Sequence, residues 1–421
     1  MYKWAEDLFP IYRCLTGKGV RETLQYISKI VPELQIEEIK SGQKAFDWVI
    51  PEEWEIIEAY IENEQGKKIL DIQNSNLHIW GYSVSVDEYL SLEELKCKII
   101  TREDLPNAIP YVTTYYEKKW GFCMSHNQFK SLTDEKYHVL INSKHFQGVL
   151  NYGEVLIEGK CNTEVLLSTY ICHPSMANNE LSGPVVTMSL INWLKKEKRE
   201  YTYRILFLPE TIGPIAYLSI NDNLKKLKNN VFAAFQITCC GDDNSVSFLP
   251  SKYGDTYVDK IVNYVLNNYV KSFTKYSYLD RGSDERQWSS PGINLPIISL
   301  MRSKYHEYKE YHTSLDDLSY ISPKGLQGGF ENIKISIDII EKNAKYINFI
   351  LCEPQMGKRN LYPNTSHRND KVIDKKNLMN LLAYIDGNND LIDLAYLINL
   401  DFFEVYKLIK ILEKEKIISK I

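Results

Sequence analysis

The chain has 421 residues, 25 % of them charged and 44 % apolar, and a net charge of −5. That length exceeds one ordinary core, so about two or three domains are expected, and the ordinary composition excludes a disordered or fibrous chain. The mild acidity removes the electrostatic case for nucleic acid as the main partner.

Residues 1–31 read as helical, with Pro10 as a break. Gly17 and Gly19 make a turn before an amphipathic helix at 21–30, which Pro32 ends. The start lacks an apolar signal core, and no later run is long enough to span a bilayer, so no membrane partner is expected. The texture changes near residue 41. Residues 46–50 alternate as a strand does, and Pro51, Glu52, Glu53 and Trp54 resemble a helix start. Short strand candidates follow at 59–61, 68–72, 78–82 and 84–86, and Ser91 with Glu94 forms a capping box. This mixed texture is read as an inserted α+β domain at 42–128.

A hairpin is expected next, with strands near 137–142 and 148–158. Then strands alternate with helices: strand 165–171, helix 184–197, strand 203–208, helix 213–228, strand 231–238, helix 257–270, strand 295–301 and a long helix at 323–350. That rhythm predicts an α/β domain, a mostly parallel sheet with helices on both faces, built from 1–41 and 129–352. Residues 353–369 suit a linker or hairpin. Helix patterns at 375–385, 391–398 and 402–414 and a strand-like 416–421 predict a winged helix-turn-helix domain at 353–421. Its last helix mixes charge signs, a poor phosphate footprint, so protein docking is expected above DNA binding. The eight Cys form no Cys-x-x-Cys pair, and Cys161, Cys172, Cys239 and Cys352 lie in apolar runs. Free thiols in a reducing cytoplasm are expected, not a disulfide framework.

Four polar segments carry candidate chemistry. His173 leaves the 165–171 strand, and Pro174 forbids the strand's continuation. Glu210 leaves the 203–208 strand, where a carboxylate is placed to take a proton from a water. Residues 280–288 hold five charges in nine positions, among them Asp284, Glu285 and Arg286. His312 follows Tyr311, with Asp316 four residues on to support it. Each has a plainer explanation alone: a loop His, a helix-capping acid, a solvated charge run. Together, each lying after a strand of one sheet, they converge as a metal-assisted hydrolysis constellation.

The order His173, Asn-Glu-Leu-Ser-Gly at 179–183, Glu-Thr-Ile-Gly at 210–213 and Tyr-His-Thr at 311–313 resembles the zinc-dependent aminopeptidases of the bacterial leucyl aminopeptidase and glutamate carboxypeptidase type. The resemblance covers residues 1–40 and 130–350. It implies His173 and His312 as metal ligands, Glu210 as general base and Asn179 at the place of a bridging Asp. Four positions depart from the pattern: Ser175, Asn179, Thr211 and Thr238 stand where the family has acids. Two zinc ions need several anionic oxygens, so one zinc is expected, at most two, held by His173, His312 and a carboxylate such as Asp284. Arg286, Glu285 and Tyr311 are the candidates to grip substrate.

Segments 14–24, 120–123, 170–174, 209–213, 282–287 and 310–314 also look like a bacterial family with an aminopeptidase-like domain, an inserted α+β domain and a C-terminal winged helix, linked to polysaccharide biosynthesis. This resemblance implies modification of a cell-surface carbohydrate rather than general proteolysis. With the site residues, the expected reaction is hydrolysis of an amide or ester bond in a small peptide-like or sugar-derived substrate. The alternative is a non-catalytic sugar- or peptide-binding module whose winged helix docks a protein or DNA.

Overall fold

The computed structural model describes residues 1–114, 116–359, 361 and 375–421. They form two compact units, Met1–Lys260 with Leu266–Lys334 and Ile261–Val265 with Ile335–Ile421.

The first unit is organised by the strand Glu164–Tyr170, buried at all seven positions. A strand covered on both faces is largely apolar, here through Val165, Leu166 and Leu167, and each fully buried aliphatic side chain stabilises the fold by about 1.5–3 kcal/mol over exposure. It lies inside an eight-stranded sheet ordered Gln35–Lys40, Val149–Ile157, Thr202–Leu208, Glu164–Tyr170, Val231–Gln236, Ile297–Met301, Ser247–Leu249, Thr274–Lys275. The four middle strands, Thr202–Leu208 to Ile297–Met301, run parallel. Their neighbours on both sides pair antiparallel. Leu166, Leu206, Leu208, Ala234 and Ile297 pack with Ile212, Ala216 and Trp288 in one core cluster. The alternate residues Val165, Leu167, Ile205 and Phe207 are equally buried. The expected α/β class holds.

A second sheet in this unit has the order Lys68–Asp71, Glu53–Asn63, Lys136–Phe146, Val86–Ser91, all antiparallel. Its core holds Trp54, Ala59, Ile61, Tyr137, Val139 and Ile141. The hairpin expected at 137–158 does not form. Lys136–Phe146 joins this sheet, and Val149–Ile157 joins the larger one. Lys136–Phe146 alternates in burial, whereas Val149–Ile157 has a run of four buried residues. The two strands therefore suit different layers, although the link between them is short enough for a hairpin. The second sheet thus runs past residue 128. The helix start read at 51–54 is instead the beginning of the strand Glu53–Asn63, because Trp54 is drawn into the cluster.

The helix expected at 213–228 is two, Ile212–Ser219 and Asn223–Asn230, broken where Asn221 and Asp222 take left-handed φ of 52° and 56°. The long helix ends at Lys342. Lys345–Asn348 is a strand, paired with Asp386–Asp390 and Ile418–Lys420. Asp386-Gly-Asn-Asn-Asp390 has almost no β propensity, and only its partners make it a strand. With helices Lys375–Ala383, Leu391–Ile398 and Phe402–Lys414, these strands form the expected winged helix. Local chemistry sets its helix starts. Asp390 and Asp401 accept the backbone N–H groups of Asp393 and Phe403 at 3.0 and 2.9 Å. The linker expected at 353–369 falls largely outside the described residues. No described helix is long and apolar enough to cross a membrane. All eight cysteines are free thiols.

Candidate active site

Strand register builds the site. Tyr170 lies opposite Leu208 in the parallel pair. Cys172 and Glu210, each two residues further, therefore emerge side by side, and the Glu210 N–H donates to Cys172 Sγ at 3.2 Å. His173 follows, with its Nε2 3.5 Å from Glu210 Oε2. Ser283 donates to Glu210 Oε1 at 3.0 Å. The Thr211 N–H donates to Asp284 Oδ1 at 2.7 Å, and Thr211 holds a strained φ of 65°. The Arg286 guanidinium reaches Thr211 Oγ1 at 3.2 Å. His312 closes the group, its ring centroid 5.4 Å from that of His173. His173, Glu210, Asp284, Arg286 and His312, spread over 140 residues of sequence, thus share one site.

The electrostatics are those of a buried acidic cluster. Burial pushes the Glu210 carboxyl above its usual range, partly offset by His173 and Arg286. Burial and then the charge of Glu210 push Asp284 well above its own. Burial would lower the His173 imidazole, but the hydrogen bond and charge of Glu180, with Glu210, hold it above its usual value. Burial and then the charge of His173 keep His312 well below its usual value, so it is neutral near pH 7. The His312 Nε2 is buried with no hydrogen-bond partner, as are Asp284 Oδ2 and Glu285 Oε2.

Three expected roles are corrected. The Asn179 carboxamide is spent inside the loop. Its Oδ1 accepts from Tyr170 OH at 3.0 Å and its amide lies 4.0 Å from Met176 Sδ. A neutral amide with these partners is a poor substitute for a bridging carboxylate. Glu285, expected to touch substrate, is buried and braces its own loop. Its Oε1 accepts from Gly282 N, Ser283 N and Tyr305 OH at 2.8, 2.9 and 2.5 Å. Asp316 does not support His312. Its oxygens accept the N–H groups of Asn178 and Asn179 at 2.7 and 3.0 Å and the Tyr308 hydroxyl at 2.9 Å. Tyr311 stacks on His312, centroids 3.9 Å apart and 14° from parallel.

Sequence reasoning passed over three site residues. Glu180, one position after the expected acid, accepts from His173 Nδ1 at 2.9 Å. Arg13 donates through Nε to the His173 carbonyl at 2.9 Å and lies 3.6 Å from Glu180 Oε1. The first signal was legible, an acid inside the 179–183 loop. The second was an Arg ahead of the Gly17 turn. Tyr111 had no signal. It comes from the region read as an insert, and its ring centroid is 5.2 Å from both His173 and His312. Its N–H donates to the His312 carbonyl at 2.8 Å, beside a Pro110–Thr313 bridge.

Among the described residues, Cys172, His173 and Glu180 are a trio whose ligand atoms lie within 4.8 Å of one another. Burial holds the Cys172 thiol well above its usual range, and Glu180 and Glu210 add to this. Arg13 already places a positive charge against Glu180. A cation at this trio would oppose both, so these groups make a better support for His173 than a binding site. The side facing Nε2 fits a cation better. There, the unpartnered His312 Nε2 and Asp284 Oδ2 and the mutually repelling Glu210 and Asp284 all gain from a positive ion. These donors suit a cation chemically, but among the described residues only the Cys172, His173 and Glu180 ligand atoms all lie within 4.8 Å of one another. Asn179, Thr211 and Thr238 offer no charge for a second ion.

Residues 2–343 match the family described as a domain of unknown function (DUF4910), and residues 344–420 match a winged helix-turn-helix. A Clostridium acetobutylicum protein, provisionally named for polysaccharide biosynthesis with an aminopeptidase-like domain, is 43 % identical over 404 residues, covering 96 % of this chain and 92 % of that one. The crystal structure of a C. acetobutylicum protein provisionally named a peptidase superposes with a TM-score of 0.93 at 40 % identity, covering 100 % of this chain and 96 % of that one. A zinc aminopeptidase of Bacillus subtilis superposes at 0.59 with 13 % identity, over 80 % of this chain and 93 % of its own. That distant likeness shows the aminopeptidase fold alone. The chain belongs to the DUF4910 family, an aminopeptidase-like fold followed here by a winged helix.

Proposed function

We propose that this chain is a hydrolase of an amide or ester bond, with a single zinc ion and a peptide-like or sugar-derived substrate. The observation that carries this reading is Glu210 Oε2 set 3.5 Å from His173 Nε2, beside a neutral His312 whose Nε2 is buried and unpartnered. His173 and His312 would hold the ion, with Asp284 as the anionic ligand. Zinc, when bound, supplies a Lewis acid that polarises a carbonyl and acidifies water. Glu210 is the proton acceptor. Burial lifts its carboxyl toward the working range of a general base, while its side chain stays 20 % exposed and open to a water. The Ser283 hydroxyl fixes the orientation of that carboxylate. Arg286, exposed at the edge, offers a positive charge to an anionic substrate group. The named role of the C. acetobutylicum relative supports a carbohydrate precursor as substrate class.

The test is elemental analysis and turnover on a panel of aminoacyl and acyl-sugar substrates. Wild type should carry about one zinc per chain. Glu210→Gln should keep the zinc and lose roughly 10²–10⁴-fold in kcat. A protein that cannot be loaded with zinc sinks the metal-assisted reading. The neutral Asn179, Thr211 and Thr238 favour a second reading, a cleft that binds ligand without turnover and a winged helix that docks a protein partner. In that case Glu210→Gln would bind the same ligands as wild type, and no substrate would be consumed by either.

A further inference from the structure

The loop that resembles a bridging-acid loop contributes an acid one residue late. Residues Ala177–Leu181 form a single π-turn leading into the helix Ser182–Leu194. Such turns widen a helix by one residue and change which side chain faces inward. Asp316 fixes this turn by three contacts: its carboxylate takes the N–H groups of Asn178 and Asn179, and its carbonyl takes that of Ala177 at 2.8 Å. As a result Asn179 turns to Tyr170, and Glu180 points at His173 with a side chain 0 % exposed.

We propose that Glu180 is the positioning residue of the metal site, acting through His173 and itself held by Arg13. This rests on the single-zinc reading above. Its Oε2 sits 2.9 Å from Nδ1, where a carboxylate accepts the Nδ1 proton, so an ion bound by this ring would take Nε2, the nitrogen that faces Glu210. Arg13 completes the fixture from both ends. Its Nε donates to the His173 carbonyl and lies 3.6 Å from Glu180 Oε1. One guanidinium therefore sets the distance between the backbone of the ligand and the acid that orients its ring. Ser175, where the resembling family keeps an acid close to this His, is engaged elsewhere, with the Asn76 amide donating to its Oγ at 2.8 Å. Glu180 takes that role from five residues further along the chain.

The experiment is a zinc titration of the full-length, metal-stripped protein against a chromogenic chelator, run well below the melting temperature. Thermal melts of each metal-free variant measure the cost to the fold separately. Glu180→Ala should weaken zinc binding by about 10–100-fold. Glu180→Gln, the same size and still an acceptor for Nδ1–H, should recover most of that loss, and it stays testable if the Ala variant does not fold. Equal zinc affinity in wild type and Glu180→Ala, with only the melting temperature changed, would overturn the inference while leaving the single-zinc reading intact. A Gln variant as weak as the Ala variant would also overturn it, because it would make Glu180 a ligand. Wild type that takes up no zinc would remove the functional reading itself, and this inference with it.

Discussion

Asp284 shows how one residue trades stability for chemistry. Its carboxyl is fully buried beside Glu210, and burial with that neighbouring charge holds it well above its usual range. A carboxyl raised in the folded state binds its proton more tightly there than in the unfolded chain. Its ionisation therefore costs stability as pH rises from about 4, the unfolded value, through the folded one. In metal-free protein, urea midpoints should fall between pH 5 and pH 8. Asp284→Asn, whose amide oxygen can still accept from Thr211 N–H, should fall less and be the more stable variant at pH 8. The same variant should bind zinc more weakly. Equal pH slopes for the two proteins would show that Asp284 is already ionised in the fold. Glu285, its neighbour, is equally buried but has three donors on one oxygen. The two adjacent acids thus play different parts: one offers a bare oxygen to the site and the other holds the loop in shape.

At the scale of elements, the π-turn and the helix after it are fixed by contacts from distant segments, a loop that carries Asp316 and the sheet at Thr169 and Ile237. The Asp316 carboxylate takes two N–H groups that would otherwise be buried without acceptors, and the Tyr308 hydroxyl is its third donor. Asp316→Ala should cost about 3–5 kcal/mol, since it strands buried donors in a network, and should be read as a lower urea midpoint with unchanged slope. At Gly183 the helix start meets the sheet so closely that a Cβ would sit 2.4 Å from the Ile237 carbonyl oxygen and 2.5 Å from Thr169 Oγ1. Gly183→Ala should destabilise by about 1–3 kcal/mol or displace the turn that carries Glu180. Helices and buried strands were readable because periodicity, breaks such as Pro32 and Pro174 and the Ser91–Glu94 capping box are local signals. Pairing was not. The link at 147–148 looks like a hairpin turn, yet its two strands serve different sheets, and nothing within either strand names its partner.

For the whole molecule, the aminopeptidase-like unit and the winged helix are separate compact units within one family architecture. If the site takes one zinc, occupancy should stabilise the unit that holds it. At free zinc 100 times its Kd the gain is about 2.7 kcal/mol, and chelator should lower that unit's melting temperature accordingly. A chelator-independent melt would argue that zinc does not bind the folded chain.

The sequence by itself determined the alternation of strand and helix, the winged helix, and the polar residues that follow each strand, because these are properties of neighbouring residues. It also revealed that neutral side chains replace most of the acids a two-zinc site needs. Only the tertiary structure decided which acids matter. Asn179 and Glu180 are adjacent polar residues, one neutral and one acidic, and the sequence does not say which of them faces His173. The direction each faces is decided by a π-turn held by Asp316, some 137 residues away, and by Arg13 at the other end of the unit. Side-chain direction in such a turn is a long-range property, set by where buried donors find acceptors, and no local pattern encodes it.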